Sequence, residues 1–188
     1  MNRREALERV ALVLGGTIIG SAAFLEGCKS NDSEATGFSL TKDQIAFLDE
    51  VAETIIPTTN TPGAKAAKVG EFMNVMVTDC YETKDQKIFA EGISLIDESS
   101  KSLFGKGFME INADQKSRLL NQVNKELKAY NDSKQEKDPN HYFGMMKQLT
   151  LLGYFTSEVG ATQALRYVAV PGKYEGCIPY AKGDRAWA

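Results

Sequence analysis

Tyr142-Phe143-Gly144-Met145-Met146-Lys147-Gln148-Leu149-Thr150-Leu151-Leu152-Gly153-Tyr154-Phe155 is the most apolar stretch of the chain beyond its N-terminal thirty residues. Its apolar residues fall on nearly every side of a helical period. A helix of that kind has little surface for water and must be covered on several sides. It is either the central helix of a bundle or a helix at an interface, and we read it as central. That reading makes the fold all-α: a compact helical bundle whose other helices supply ordinary one-sided faces.

Four such helices precede it. Thr41 with Gln44 three residues on is a capping box. It opens a helix with Ile45, Leu48, Ala52, Ile55 and Ile56 at helical spacing, and Pro57 stops it. Pro57-Thr58-Thr59-Asn60-Thr61-Pro62-Gly63 is a turn-rich loop. A second helix, from about Val69 to Cys80, carries Val69, Phe72, Met73, Met76 and Cys80 on one face. Thr83 and Gln86 form another capping box, for a third helix that turns Ile88, Phe89, Gly92, Ile93 and Ile96 inward. That helix ends near Ser102, ahead of Gly105 and Gly107. Asn112 caps a fourth, with Leu119, Leu120, Val123 and Leu127 on its apolar face. Asn131 to Asn140 is a polar loop.

Downstream of the apolar helix, Thr156-Ser157 bends the chain into a short helix through about Arg166. From Val168 the helical period is lost. Val170-Pro171-Gly172-Lys173-Tyr174-Glu175-Gly176-Cys177-Ile178-Pro179-Tyr180 is an irregular tail of aromatics, Gly and Pro. Aromatics on an extended segment mark a docking surface; the same residues can also pack back on the bundle.

The N-terminus reads as an address. Arg3 and Arg4 stand side by side ahead of a mildly apolar run that begins at Val10. The run is softer than a spanning helix, which needs about 20 strongly apolar residues. This is the pattern of a twin-arginine-type export signal over residues 1–27, and Leu25-Glu26-Gly27-Cys28 resembles a lipoprotein processing site, with Cys28 as the lipidation candidate. Residues 28–38 are a flexible tether, and residues 39–188 one helical domain. The expected location is periplasmic and membrane-associated.

About 160 residues remain after the signal, enough for one domain with its own core. The net charge is −3; with no basic patch, nucleic acid is excluded as a partner. Cys80 and Cys177 are far apart in sequence. In an oxidising compartment such a pair points to a disulfide tying the tail to the end of the second helix. The alternative is two buried thiols that never meet.

Little in the chain carries chemistry. The single histidine, His141, reads as a helix-end residue. Glu50, Glu53, Asp79 and Glu82 lie on polar helix faces and read as solvated. Ser157 has no His-bearing motif beside it. No dinucleotide fingerprint, phosphate loop or haem-attachment motif is present. We therefore expect no catalytic, cofactor-binding or metal-binding residue on this chain.

Three stretches, together with the arginine pair, carry a family resemblance. They are Glu53-Thr54-Ile55-Ile56-Pro57-Thr58-Thr59-Asn60-Thr61-Pro62-Gly63-Ala64, Leu149-Thr150-Leu151-Leu152-Gly153-Tyr154-Phe155-Thr156-Ser157 and Pro171-Gly172-Lys173-Tyr174-Glu175-Gly176-Cys177. In this order they resemble the gluconate 2-dehydrogenase subunit 3 family, over roughly Phe38 to Tyr180. The resemblance implies a small helical accessory subunit without catalysis of its own. Its partner would be a large FAD-containing dehydrogenase of the glucose-methanol-choline type, joined in some complexes by a haem-bearing cytochrome c subunit. The small subunit would stabilise the flavoprotein and supply the signal that exports it folded. The loop and tail then become docking surfaces, with Pro57, Pro62, Tyr154, Phe155, Tyr174 and Tyr180 as candidates. A stand-alone lipid-anchored periplasmic binding or scaffold protein is the alternative.

Overall fold

The computed structural model describes residues 38–187. The export signal with Arg3 and Arg4, the lipidation candidate Cys28 and nearly all of the tether lie outside the described residues. Five α-helices form the body: α1 (Lys42–Ile55), α2 (Val69–Cys80), α3 (Thr83–Phe104), α4 (Ala113–Ser133) and α5 (Tyr142–Thr156). A 3-10 turn (Phe108–Glu110) sits between α3 and α4, and a π-helical turn (Gly160–Ala164) follows α5. Among the described residues there is no sheet; one isolated parallel bridge joins Arg166 to Trp187. No described helix is long and apolar enough to cross a membrane.

One of the two predicted capping boxes forms, and the predicted Asn112 cap forms too, completed to a box by Gln115. Thr41 Oγ1 accepts from Gln44 N and Gln44 Oε1 accepts from Thr41 N, at 3.2 and 2.9 Å. Asn112 and Gln115 do the same for α4, at 2.9 and 3.1 Å. The expected box at Thr83 and Gln86 does not form. Glu82 takes the N-cap position without a side-chain cap. Gln86 Nε2 turns back instead and donates to the Val77 and Thr78 carbonyls, at 3.0 and 3.1 Å. Only Tyr81 and Glu82 separate α2 from α3, so the unpaired last-turn carbonyls of α2 are within its reach.

The second helix lacks a side-chain cap of its own, because Lys68 stands at its N-cap position. Asp49, one helix away, does the capping: its Oδ1 accepts from Gly70 N at 2.8 Å. Burial pushes the Asp49 carboxyl above its usual range, and this bond only partly opposes the shift. At the other end of the bundle α3 stops on Gly105, whose left-handed φ of 71° favours glycine and whose N–H returns to Lys101 O at 2.9 Å.

The apolar helix α5 is central, as expected. It packs on α1, α2, α3, α4 and the π turn. Phe143, Met145, Met146, Leu149 and Tyr154 are buried in it, and the buried Thr150 hydroxyl satisfies itself on Met146 O at 2.8 Å. Two glycines allow the close approach. A Cβ on Gly153 would stand 2.6 Å from the Phe72 ring of α2, and one on Gly92 of α3 would stand 2.5 Å from Tyr142.

Two of the predicted faces shift. In α1 the buried residues are Phe47, Leu48, Val51 and Ala52, while Ile45, Ile55 and Ile56 are half-buried. The stripe turns toward Phe47 because Phe108 of the 3-10 turn packs there, ring centroids 4.9 Å apart. In α2 the core positions are Val69, Met73 and Val77, spaced four apart, so Cys80 falls off the stripe and is exposed.

Candidate functional site

The loop between α1 and α2 is held from both sides. From α1, Glu53 Oε1 accepts from Thr58 N at 2.9 Å and from Thr58 Oγ1 at 2.7 Å, while Oε2 accepts from Lys65 N at 2.9 Å. Within the loop Thr58 Oγ1 accepts from Gly63 N at 3.1 Å, and Ala64 N donates to Ile56 O at 3.0 Å. From α5, the Tyr154 hydroxyl donates to Pro62 O at 2.7 Å. Two of the stretches that carry the family resemblance therefore meet, one supplying a carboxylate and the other a phenol to fix a single loop.

Beside Glu53, Glu50 takes Lys65 from the loop and Lys116 of α4, the latter at 2.8 Å. These two ammonium groups hold the Glu50 carboxyl below its usual range. Sequence reasoning reads both glutamates as solvated surface, and the structure corrects that. No period in the sequence marks them, because their partners are 5 to 66 residues away.

Tyr154 is 2% exposed, so the structure removes it from the residues that can touch a partner. Its ring fills the core and its hydroxyl is taken by the loop. Phe155, one residue on, is 39% exposed and meets the Tyr154 ring edge-on at 5.2 Å between centroids. Leu151 and Leu152 are exposed with it. The central helix, covered on several sides as expected, thus has an outward side as well. Of the loop residues, Pro57 is exposed and Pro62 half-buried.

At the bend, Ser157 Oγ donates to Tyr154 O at 2.6 Å and accepts from Gly160 N at 3.0 Å. That hydroxyl joins the end of α5 to the π turn. His141 Nδ1 accepts from Phe143 N at 3.2 Å, which caps α5, and burial holds its imidazole below the usual pKa. Neither side chain has a geometry for nucleophilic or base chemistry. Among the described residues no group of three His, Cys, Asp or Glu side chains is placed to hold a metal ion.

The tail is irregular, and Tyr174 and Tyr180 are exposed. Cys80 and Cys177 are both free and exposed, neither bonded to one another nor buried. The tail is fixed elsewhere: Arg166 N donates to Ala186 O at 2.7 Å, and the Arg185 guanidinium donates to the carbonyls of Thr162 and Gln163. What the whole arrangement offers is contact: a preformed loop, an outward apolar side of α5 and an aromatic tail.

A family model described as gluconate 2-dehydrogenase subunit 3 matches residues 42–172. No curated protein and no solved structure is matched.

Proposed function

The chain belongs to the gluconate 2-dehydrogenase subunit 3 family, which implies a complex with a dehydrogenase partner, and on that premise we propose that it is the non-catalytic accessory subunit of an exported FAD-dependent dehydrogenase of gluconate or related sugars. It stabilises the flavoprotein subunit and supplies that subunit's export signal through Arg3 and Arg4. FAD resides on the partner, and where a cytochrome c subunit joins the complex, that subunit carries the haem. The complex works in the periplasm at the membrane, with a lipid on Cys28 as one anchor.

One observation carries the docking part of this reading. Among the described residues, the most apolar helix of the bundle leaves Leu151, Leu152 and Phe155 exposed. Burying them in the isolated chain would need an additional element, and a partner subunit supplies one. The loop between α1 and α2 is already hydrogen-bonded to Glu53 and Tyr154 in the chain alone, which lowers the ordering cost of association. The export part is supported by the signal's weak apolar core: an export route for folded proteins is the one that can carry a bound flavin.

Co-expression with the flavoprotein tests both parts. Both chains are expected in the periplasmic fraction, co-purifying with flavin colour. Arg3→Lys together with Arg4→Lys is expected to leave the flavoprotein in the cytoplasm; unchanged export would end the escort reading. A colourless chain that purifies alone from membranes would instead favour a stand-alone anchored scaffold.

A further inference from the structure

Residues 166–187 form a closed ring. Both ends share one base: Arg166 N donates to Ala186 O at 2.7 Å, and the Arg166 guanidinium lies 4.6 Å from the centre of the Trp187 ring. Arg185 adds two bonds to the Thr162 and Gln163 carbonyls, at 3.3 and 2.8 Å. That base stands on the π turn that packs against α5.

The ring carries exposed aromatic side chains. Tyr174 is 95% exposed, Tyr180 76% and Trp187 55%. A cavity of about 410 Å³ opens between Tyr174 and Trp187, with Val168, Pro171 and Ile178 in its lining and the Lys173–Glu175 ion pair contributing to it as well. A buried aromatic side chain covers about 150–250 Å², so these three and Tyr167 at their exposures present roughly 400–700 Å². One side of a stable protein interface needs about 800 Å². The ring alone supplies half of that or more, in the Tyr, Trp and Arg chemistry that dominates binding hot spots.

We propose that this ring is the element by which the chain grips its own dehydrogenase subunit, taking a large apolar side chain of that subunit between Tyr174 and Trp187. The inference rests on the accessory-subunit reading above and adds where on the chain that subunit is held. Residues 173–187 lie beyond the residues that the family model matches. A lipid surface fits less well. Arg166 faces Trp187, Arg185 is held by carbonyls and Lys173 pairs with Glu175 at 2.8 Å, which leaves the exposed Lys182 as a single cation of the ring and not a basic cluster for anionic headgroups. Closure at the base also orders the ring in advance.

Trp187 is the only tryptophan in the chain, which gives a direct probe. The full chain is prepared with 5-fluorotryptophan and titrated with the flavin-dependent dehydrogenase subunit of its complex, following the fluorine resonance and the dissociation constant. The resonance is expected to shift on binding. Tyr174→Ser with Tyr180→Ser is expected to weaken binding at least about ten-fold, and Trp187→Ala comparably. Circular dichroism should show the helices of all variants unchanged, since these side chains lie outside the bundle core. Wild-type binding that the ring variants keep within two-fold overturns the ring proposal and leaves the accessory-subunit reading standing. A wild-type chain that binds no dehydrogenase subunit ends both. Ring-dependent self-association, or ring-dependent binding to phosphatidylglycerol vesicles, without an effect on the dehydrogenase also overturns the proposal.

Discussion

Tyr154 and Phe155 are neighbours with opposite duties, and substituting each separates them. Tyr154→Phe keeps the ring that fills the core and removes one hydroxyl. That hydroxyl is a donor to Pro62 O at 2.7 Å. Removing it leaves a half-buried carbonyl without its donor, a loss of about 1–2 kcal/mol. For a domain near 150 residues, 1 kcal/mol moves the melting temperature by about 2–4 °C, so the expected fall is roughly 2–8 °C. The loop should loosen as well, with faster amide exchange at Gly63 and Ala64, whose N–H groups bond within it. Phe155→Ser is expected to weaken association with the dehydrogenase subunit while leaving amide exchange in the loop unchanged, because the side chain is 39% exposed and makes no hydrogen bond to the loop. Calorimetry and hydrogen exchange read the first effect, and a binding titration the second. If Tyr154→Phe melts with the wild type and its loop amides exchange no faster, the two-sided clamp on the loop is wrong.

Two more predictions follow from the packing and the charges. Gly153→Ala places a Cβ 2.6 Å from the Phe72 ring and forces α2 or Phe72 to move, costing about 1–3 kcal/mol in chemical denaturation. For pH, Lys116 and Lys65 lower the Glu50 pKa, so Glu50 contributes stability that is present above its unfolded pKa and is lost as pH falls through the lower folded value. Asp49 is raised by burial, so its contribution has the opposite sign: present below its unfolded pKa and lost as pH rises through the folded one. Glu50→Gln should flatten the acid limb of the stability curve, whereas Asp49→Asn should gain relative stability above that range; identical pH profiles for the two variants would contradict these assignments.

The helices were legible because their signals are local. A capping box spans four residues, and Thr41 with Gln44 and Asn112 with Gln115 each close on themselves whatever the bundle does. The same pattern at Thr83 failed because a tertiary competitor was nearer: the free carbonyls of Val77 and Thr78 took the Gln86 amide. The acidic residues of α1 were illegible for the related reason that a carboxylate on a polar face looks alike whether it meets water, a loop amide or a lysine 66 residues away.

By itself the sequence determined an all-α chain, with five helices at nearly their observed bounds, a central apolar helix, an irregular tail and the family that the matched residues share. Periodicity and caps act over a few residues, and that range suffices for those conclusions. Only the tertiary structure decided which side of each residue pair faces in. Nothing in Gly153-Tyr154-Phe155 says that the tyrosine is sealed by Pro62 and the phenylalanine left outside, because the loop that makes the difference is about 90 residues distant in the chain. The tail behaves in the same way. Its aromatics are plain in the sequence, but the ring exists because Arg166 and Trp187 come together at one base, and that closure depends on where the bundle puts the end of its central helix.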